Sequence, residues 1–217
     1  MLDGPDGSGK STQFRRLSDH LRGAGIPVVE TREPGGTAVG EQVRAILLDP
    51  QNTDMTVRCE MLLYMASRAQ LVGQRIAPAL ARGDLVLADR FISSTLAYQG
   101  TAGGLSKAEI LAVGAVAVGG IRPDLTILFD VDEEVAARRL NPILDRMEQK
   151  GAAFHRRVRE GYLEQARSDP ARHLVIDARP DPDVVWASLE RGLVRWTESI
   201  GDAAPTRAAG AQAARPG

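Results

Sequence analysis

The chain contains one cysteine among its 217 residues and no apolar run of the length that a membrane helix needs. A single cysteine excludes an internal disulfide, and the position of Cys59 in an apolar-periodic stretch predicts a small buried side chain. A membrane span takes about 18 apolar residues, which no stretch approaches. A glycine-rich motif begins at Gly4, which leaves no room for a signal peptide. We therefore expect a cytoplasmic protein that has no membrane partner.

An excess of basic charge is also missing. Lys and Arg number 27 against 28 Asp and Glu, which gives a formal net charge of -1. Binding to polymeric nucleic acid requires a strong positive field, so a small charged substrate fits this composition better. The sequence shows no internal repeat of the solenoid type. At 43% hydrophobic residues it is long enough to bury the core of one domain.

The glycine-rich motif at the start is the most informative feature that is present. It reads G-P-D-G-S-G-K-S and matches the P-loop template G-x-x-x-x-G-K-[ST] in full. Backbone N–H groups of such a turn and the dipole of the following helix bind phosphate, whereas a turn that only caps a helix is the simpler alternative. The motif predicts a nucleoside triphosphate as ligand but does not define the reaction. The predicted ATP-binding residues are Gly4, Pro5, Asp6, Gly7, Ser8, Gly9, Lys10, Ser11 and Thr12, with Lys10 on the outer phosphates and Ser11 as a ligand of Mg²⁺.

Short aliphatic runs alternate with longer helical patterns along the chain. This alternation favours a parallel sheet with helices on both faces. We predict an α/β protein with the P-loop NTPase fold, a three-layer α/β/α arrangement of residues 1–200 around a mostly five-stranded parallel sheet. Residues 201–217 are rich in Ala, Gly, Pro and Arg and are predicted to be a disordered tail. The predicted strands are 26–30, 84–88, 125–130 and 173–176, and the predicted helices are 10–22, 39–48, 54–82, 107–118, 133–140, 152–167 and 183–200.

The first strand is predicted to be truncated at the N-terminus. Only Met1, Leu2 and Asp3 precede the P-loop, whereas strands usually have about five residues. Three explanations stay open: a start codon assigned too late, a sequence that lacks several residues, or a naturally shortened and weakened enzyme.

Three further segments narrow the function. R-E-P-G-G-T begins at Arg32, D-R-F at Asp89 leads into S-T-L-A-Y-Q-G, and D-R-M-E begins at Asp145. With these segments the chain resembles bacterial thymidylate kinases, of the P-loop nucleoside monophosphate kinase superfamily, from Leu2 to about Leu193. The resemblance implies transfer of a phosphoryl group from ATP to dTMP, which gives dTDP and ADP in dTTP synthesis. It also implies a requirement for Mg²⁺ and a homodimer.

The resemblance implies catalysis by positioning and charge neutralisation. The acceptor phosphate has a second pKa near 6, so it scarcely needs a general base at neutral pH. Since Gly7 and Ser8 occupy the P-loop positions, the catalytic arginine is expected from a lid at about 138–151. Arg146 is the best-placed candidate, because it belongs to the matching D-R-M-E segment, and Arg138 and Arg139 are the others. The implied catalytic residues are Lys10, Asp89, Arg90, Arg139 and Arg146, with Asp89 also orienting water bound to the metal.

The same resemblance implies a binding site for dTMP. Tyr64 would stack on thymine, and Arg44, Arg68 and Arg90 would hold the acceptor phosphate. Thr95 and Gln99 would reach the base edge, while Tyr98 would crowd the 2′ position and so select deoxyribose. The implied substrate-binding residues are Asp6, Glu33, Pro34, Arg44, Tyr64, Arg68, Arg90, Thr95, Tyr98 and Gln99.

Two other functions remain open from the sequence. A different nucleoside monophosphate kinase or a deoxynucleoside kinase would share the P-loop and differ around Glu33, Tyr64 and Gln99. A nucleotide-binding protein that is impaired by its short first strand is the second alternative. A regulatory GTPase is disfavoured, since no N-K-x-D-like segment that reads guanine is present.

Overall fold

The computed structural model describes residues 1–140 and 144–202. Its centre is a parallel sheet of five strands in the order β2-β3-β1-β4-β5. Because β1 is the middle strand, the P-loop that follows it lies at the carboxyl edge of the sheet, where such folds bind ligands. The strands are β1 (Leu2–Asp3), β2 (Val28–Arg32), β3 (Leu85–Asp89), β4 (Thr126–Asp130) and β5 (His173–Asp177).

Helices connect the strands, and two of the connections contain π-helical turns. None of the helices described combines the length and the hydropathy needed to cross a bilayer. Short 3₁₀ turns occupy Glu148–Lys150 and Pro170–Arg172. The helices are α1 (Lys10–Gly23), α2 (Ala38–Leu48), α3 (Val57–Leu71, continued by π-helical Val72–Ile76), α4 (Ala77–Ala81), α5 (Ile92–Thr95, continued by π-helical Leu96–Ala102), α6 (Lys107–Val118), α7 (Glu133–Arg139), α8 (Ala152–Ser168) and α9 (Pro182–Asp202).

The side chains of β4 show that both faces of the sheet are covered. Ile127 and Phe129 pack into one buried cluster with Leu189 of α9. Leu128, between them, joins a different cluster with Val158 of α8. Successive side chains of a strand point to opposite faces, so the two clusters are the two layers of core. The predicted α/β/α architecture is confirmed.

Some predicted elements were correct in kind but not in their limits. The capping box is confirmed, since Ser106 Oγ accepts from Glu109 N at 3.2 Å and Glu109 Oε2 accepts from Ser106 N at 3.3 Å. The long helix predicted over 54–82 begins only at Val57 and is interrupted by the π-helical turn. The prediction that Cys59 is buried was wrong: it lies exposed in the first turn of α3. Of the predicted tail, residues 201 and 202 end α9, and the remainder lies outside the described residues.

The first strand is short, as predicted, and a cavity lies at its N-terminal end. β1 pairs only with Asp89 of β3 and with Ile127 and Leu128 of β4. In the part of the chain described, Leu85–Ala88 therefore have ladder partners in β2 alone. A cavity of about 750 Å³ lies at this end of the sheet and is lined by residues of both neighbouring strands.

Candidate active site

The P-loop forms a tight turn between β1 and α1. Gly4, Gly7 and Gly9 have φ angles of 139, 77 and 81°, which favour glycine. A Cβ on Gly7 would also lie 2.3 Å from the carbonyl oxygen of Ala136 in α7. α1 begins at Lys10 without a side-chain cap, so the N–H groups of its first turn have no side-chain partner there. These donors and the helix dipole form a site for an anion.

Lys10 provides the side-chain cation of this loop. Its Nζ donates to the carbonyl oxygen of Pro5 at 3.3 Å, and the side chain is buried. Burial and the charge of Arg90 lower the pKa of Lys10, whereas Asp6 and Asp89 oppose that change. The ammonium group thus lies among charged neighbours at the point where phosphate charge would be neutralised.

Two buried oxygens near the P-loop have no hydrogen-bond partner among the described residues. They are Ser8 Oγ and Asp89 Oδ1. Unpaired buried groups cost about 1–3 kcal/mol each, so such atoms fit a site that a ligand completes. Mg²⁺ takes oxygen ligands and usually shares them between one or two carboxylates, water and phosphates. The described residues contain no cluster of three His, Cys, Asp or Glu side chains that could hold a metal alone.

Arg90 follows β3 in a strained backbone conformation. Its φ of 67° is the only positive value among the non-glycine residues described, and such strain costs about 1–3 kcal/mol. The guanidinium forms an ion pair with Asp6 of the P-loop and donates to Ser94 Oγ at 3.1 Å and to Tyr162 OH at 3.0 Å. The strained residue therefore joins β3, the P-loop and α8 at one point.

Asp6 is the acidic partner in this arrangement. Besides Arg90, Tyr98 OH donates to its Oδ2 at 2.6 Å. Burial acts to raise the pKa of Asp6, but the charges of Arg90 and Lys10 and the Tyr98 hydrogen bond together lower it to about 2. Asp6 is thus ionised at neutral pH, and it fixes two side chains that were predicted to contact the acceptor nucleotide.

A cavity beside Asp6, called the acceptor cavity below, brings together nine of the ten predicted substrate-binding residues. Its volume is about 90 Å³, which is below the usual 300–1,000 Å³ of ligand sites. On its other side, Asp6 also lines a cavity of about 430 Å³ between the P-loop, α7 and α8. The smaller cavity is lined by Asp6, Glu33, Pro34, Arg44, Leu48, Tyr64, Arg90, Ser94, Thr95, Tyr98, Gln99, Asp145 and Met147.

Arg68 is the predicted substrate residue that does not line this cavity. Its side chain is 1% exposed. Nε donates to Glu33 Oε2 at 2.7 Å, and Nη2 donates to the carbonyl oxygen of Phe91 at 3.0 Å. Burial raises the pKa of Glu33 to about 7 against the opposing charge of Arg68. Arg68 thus forms an ion pair with Glu33 and does not line the cavity. Its direct contact with the acceptor phosphate stays a prediction.

The remaining acceptor residues enclose the cavity from three elements. Arg44 of α2 donates from Nη1 to the carbonyl oxygen of Pro34 at 2.9 Å. Tyr64 of α3 lies at the wall, and burial raises its pKa above the usual range. Thr95 Oγ1 is buried without a partner in the described chain, while Gln99 donates from Nε2 to Glu60 at 2.7 Å. An aromatic ring, arginines and unpaired polar atoms therefore face one space.

The structure does not bring the lid arginines together. Arg146 is nine-tenths buried; its Nη2 lies 2.6 Å from Glu60 Oε2 and its Nε donates to the carbonyl oxygen of Leu47 at 2.7 Å. Arg139 donates to the carbonyl oxygens of Ala178 and Arg179 at 2.7 and 2.8 Å. Of the predicted lid, residues 141–143 lie outside the described residues.

Sequence reasoning missed several buried polar residues of the site. Asp3 accepts hydrogen bonds from Gly4 N at 3.0 Å, Ser94 Oγ at 2.8 Å and Tyr162 OH at 2.5 Å. Glu60 binds Gln99, Arg146 and Lys150. The signal for Asp3 was its position at the end of the central strand, directly before the loop. Glu60 carried no such signal, because it belongs to no motif and lies in a helix that also contains the charged residues Arg58 and Arg68.

With this geometry in place, comparison with known proteins defines the family. A family profile described as Thymidylate kinase matches residues 2–188. The chain belongs to the thymidylate kinase family. It is 48% identical over 200 residues to the thymidylate kinase of Deinococcus radiodurans, covering 88% of this chain and 96% of that protein. The thymidylate kinase of Symbiobacterium thermophilum is 46% identical over 191 residues, which cover 88% of this chain and 89% of that protein.

A solved structure shows the same fold for a member of the thymidylate kinase family. The crystal structure of thymidylate kinase from Ehrlichia chaffeensis superposes with a TM-score of 0.74 at 31% sequence identity. The match covers 88% of this chain and 96% of that chain. Kinase chemistry with a nucleotide substrate is therefore the activity class of this protein.

Proposed function

We propose that this protein transfers the γ-phosphoryl group of ATP to dTMP, giving dTDP and ADP. The observation that carries the proposal is the position of Asp6. It belongs to the P-loop, and it is bonded to Arg90 and Tyr98, which line the acceptor cavity. The proposed donor phosphate site and the proposed acceptor site would thus share one side chain. The names of the relatives support dTMP as the acceptor.

In this mechanism the protein positions two anions and neutralises their charge. The N–H groups of the loop and Lys10 would hold the donor phosphates, and Arg44 and Arg90 would hold the acceptor phosphate. Arg68 would complete the fork if it moves from Glu33 to the cavity. Tyr64 would stack on the base, and Tyr98 would crowd a 2′-hydroxyl.

Mg²⁺ would be held by Ser11 and, through water, by Asp89, whose Oδ1 has no partner in the described chain. When bound, the ion neutralises charge on the transferring phosphoryl group. Asp89 would supply the buried carboxylate oxygen for this arrangement, and Lys10 would supply the protein's own cation on the same phosphates.

A lid at about 138–151 would supply a further arginine. With Arg146 held by Glu60 and Arg139 held by two backbone carbonyl oxygens in this structure, we favour Arg138 at the end of α7 over Arg139 and Arg146 as that residue. Alanine substitution of each should separate them: the catalytic arginine should lower kcat by roughly 10²-fold or more, and the other two should change kcat by less than about threefold.

We further propose a homodimer in the cytoplasm. The apolar side chains of Leu62 on α3 and of Leu111 and Val116 on α6 are 48, 42 and 87% exposed, and a dimer that uses these two helices would cover some of this surface. A single cysteine fits a reducing compartment. Sedimentation equilibrium should give twice the chain mass; a monomer at micromolar concentration would contradict the proposal.

One assay tests the proposed reaction. ADP release from ATP and Mg²⁺ would be followed with dTMP, dUMP, dCMP, dGMP and AMP as acceptors. We expect dTMP to give the highest kcat/KM, well above dCMP, dGMP and AMP. Equal or higher activity on dCMP or AMP would refute the proposal.

A further inference from the structure

Glu60 is a buried acid directly behind the acceptor cavity. It lies in the first turn of α3 and is 1% exposed. Its Oε1 accepts from Gln99 Nε2 at 2.7 Å and from Lys150 Nζ at 3.1 Å. Its Oε2 lies 2.6 Å from Arg146 Nη2 and 2.9 Å from Lys150 Nζ. One carboxylate therefore faces two cations and one amide.

The carboxylate determines which way the amide of Gln99 faces. Burial acts to raise the pKa of Glu60, but the hydrogen bond from Gln99 and the charges of Lys150 and Arg146 lower it. An ionised carboxylate only accepts hydrogen bonds, whereas an amide can present either its NH₂ group or its oxygen. Gln99 must therefore turn its NH₂ group to Glu60.

The opposite end of the Gln99 amide is then an acceptor. The part of the chain described contains no donor to Gln99 Oε1, and Gln99 lines the acceptor cavity. Thr95 Oγ1 lines the same cavity and is buried without a partner among the described residues. These two unpaired oxygens on adjacent helical turns are the groups that a base edge would contact.

We infer that Glu60 is a positioning residue that sets the acceptor site to prefer a pyrimidine with an N3–H donor. The inference rests on the proposed function. Thymine and uracil carry a hydrogen on N3, so N3 donates to Gln99 Oε1. Cytosine has an unprotonated N3 that would face the same oxygen. Two hydrogen-bond acceptors would then face each other with no hydrogen between them, which is unfavourable. Glu60 acts through Gln99 and does not itself touch the base.

The substitution of Glu60 by glutamine tests this inference directly, because it should reverse which group of the Gln99 amide faces the base. Arg146 and Lys150 only donate, so they would retain the amide oxygen of Gln at position 60 and leave its NH₂ group facing Gln99. Gln99 would then turn its oxygen toward residue 60 and its NH₂ group toward the base. The ratio of kcat/KM for dTMP to that for dCMP should fall roughly ten- to hundredfold in Glu60→Gln.

A double-mutant cycle separates this role from a structural one. Gln99→Met removes the amide at similar size and should lower the same ratio; in the Gln99→Met background, Glu60→Gln should change it by less than about threefold. Lys150→Met removes another partner of Glu60 without touching Gln99, and the ratio should stay within about threefold of wild type, whatever happens to the melting temperature. If Glu60→Gln does not fold, Glu60→Asp, which withdraws the carboxylate from Gln99, serves in its place.

The outcomes are distinct. A folded Glu60→Gln variant with the wild-type ratio would overturn the inference, and so would a Lys150→Met variant that loses selectivity equally. A wild-type protein that does not phosphorylate dTMP would instead refute the proposed function.

Discussion

Single side chains with several partners connect the parts of this site. Asp3 is fully buried and accepts from the loop, from Ser94 and from Tyr162, so it joins the P-loop to α5 and α8. Motif matching found the residues that we propose to touch ligands, such as Lys10 and Gln99, because their types and spacing are specific. It could not find Asp3 or Glu60, because their importance comes from partners that are distant in sequence.

Lys10 gives the first prediction at this scale. Lys10→Ala removes the cation of the loop, and the loss of one preorganised electrostatic contact raises a barrier by about 2.7–4 kcal/mol. We expect kcat to fall by roughly 10²–10³-fold while the melting temperature changes little. Lys107→Ala, at an exposed position of α6, is the matched control. Near-normal turnover of Lys10→Ala would contradict the assigned role.

The lowered pKa of Asp6 predicts how the stability of the folded protein depends on pH. Its pKa is lowered from 3.8 to about 2 in the folded protein, so its contribution to stability is present above pH 3.8 and is lost as the pH falls toward 2. The shift corresponds to about 2 kcal/mol. Melting temperatures between pH 5 and pH 2.5 should therefore fall more steeply in the wild type than in Asp6→Asn. The exposed Asp19→Asn variant should follow the wild-type curve; parallel curves for Asp6→Asn would exclude this role.

At the scale of elements, most regular helices and strands followed their sequence patterns, whereas α5 and the π-helical segments were not predicted. Leu96–Ala102 carries Tyr98 and Gln99, yet nothing in its local pattern predicted a widened helix. Its shape depends on packing against α8, which sequence periodicity cannot show. The short β1 was predictable, because chain length before the P-loop limits it directly.

Gly161 of α8 tests this packing. A Cβ there would lie 2.8 Å from Thr101 Cβ and 3.1 Å from Ala97 Cα, so Gly161→Ala should displace the π-helical segment although alanine favours helix by up to about 1 kcal/mol. We expect a lower melting temperature and a KM for dTMP raised at least about fivefold. Gly73→Ala, which meets no atom within 4 Å, should be neutral or stabilising. An unchanged KM for dTMP in Gly161→Ala would show that packing against Gly161 does not position the π-helical segment.

At the scale of the whole molecule, the sheet is least complete at its centre. Met1 N donates to the carbonyl oxygen of Leu125 at 2.7 Å, and Ile127 N donates to the carbonyl oxygen of Met1 at 2.8 Å. The ladder thus already continues one residue before β1, toward the 750 Å³ cavity. The parallel sheet with helices on both faces followed from the βα alternation, whereas the order of the strands and the size of this gap required coordinates.

Lengthening β1 should therefore strengthen the protein. We predict that four aliphatic or β-branched residues fused before Met1 raise the melting temperature by several degrees and raise activity, because each newly paired buried group recovers about 1–3 kcal/mol. Four Gly and Ser residues at the same place should give little change. Equal melting temperatures for the two fusions and the original chain would show that the gap costs no stability.

The position of Asp6 between two cavities also has a consequence for how the substrates bind. A ligand on the P-loop that shifts Asp6 must also shift Arg90 and Tyr98, so the two binding equilibria are thermodynamically linked. Linkage is reciprocal: if a non-hydrolysable ATP analogue tightens dTMP binding by some factor, dTMP must tighten binding of the analogue by the same factor. Calorimetry in both orders should give one coupling factor, and Asp6→Asn should bring it close to one. In that variant, the affinity for each substrate would no longer depend on whether the other substrate is bound.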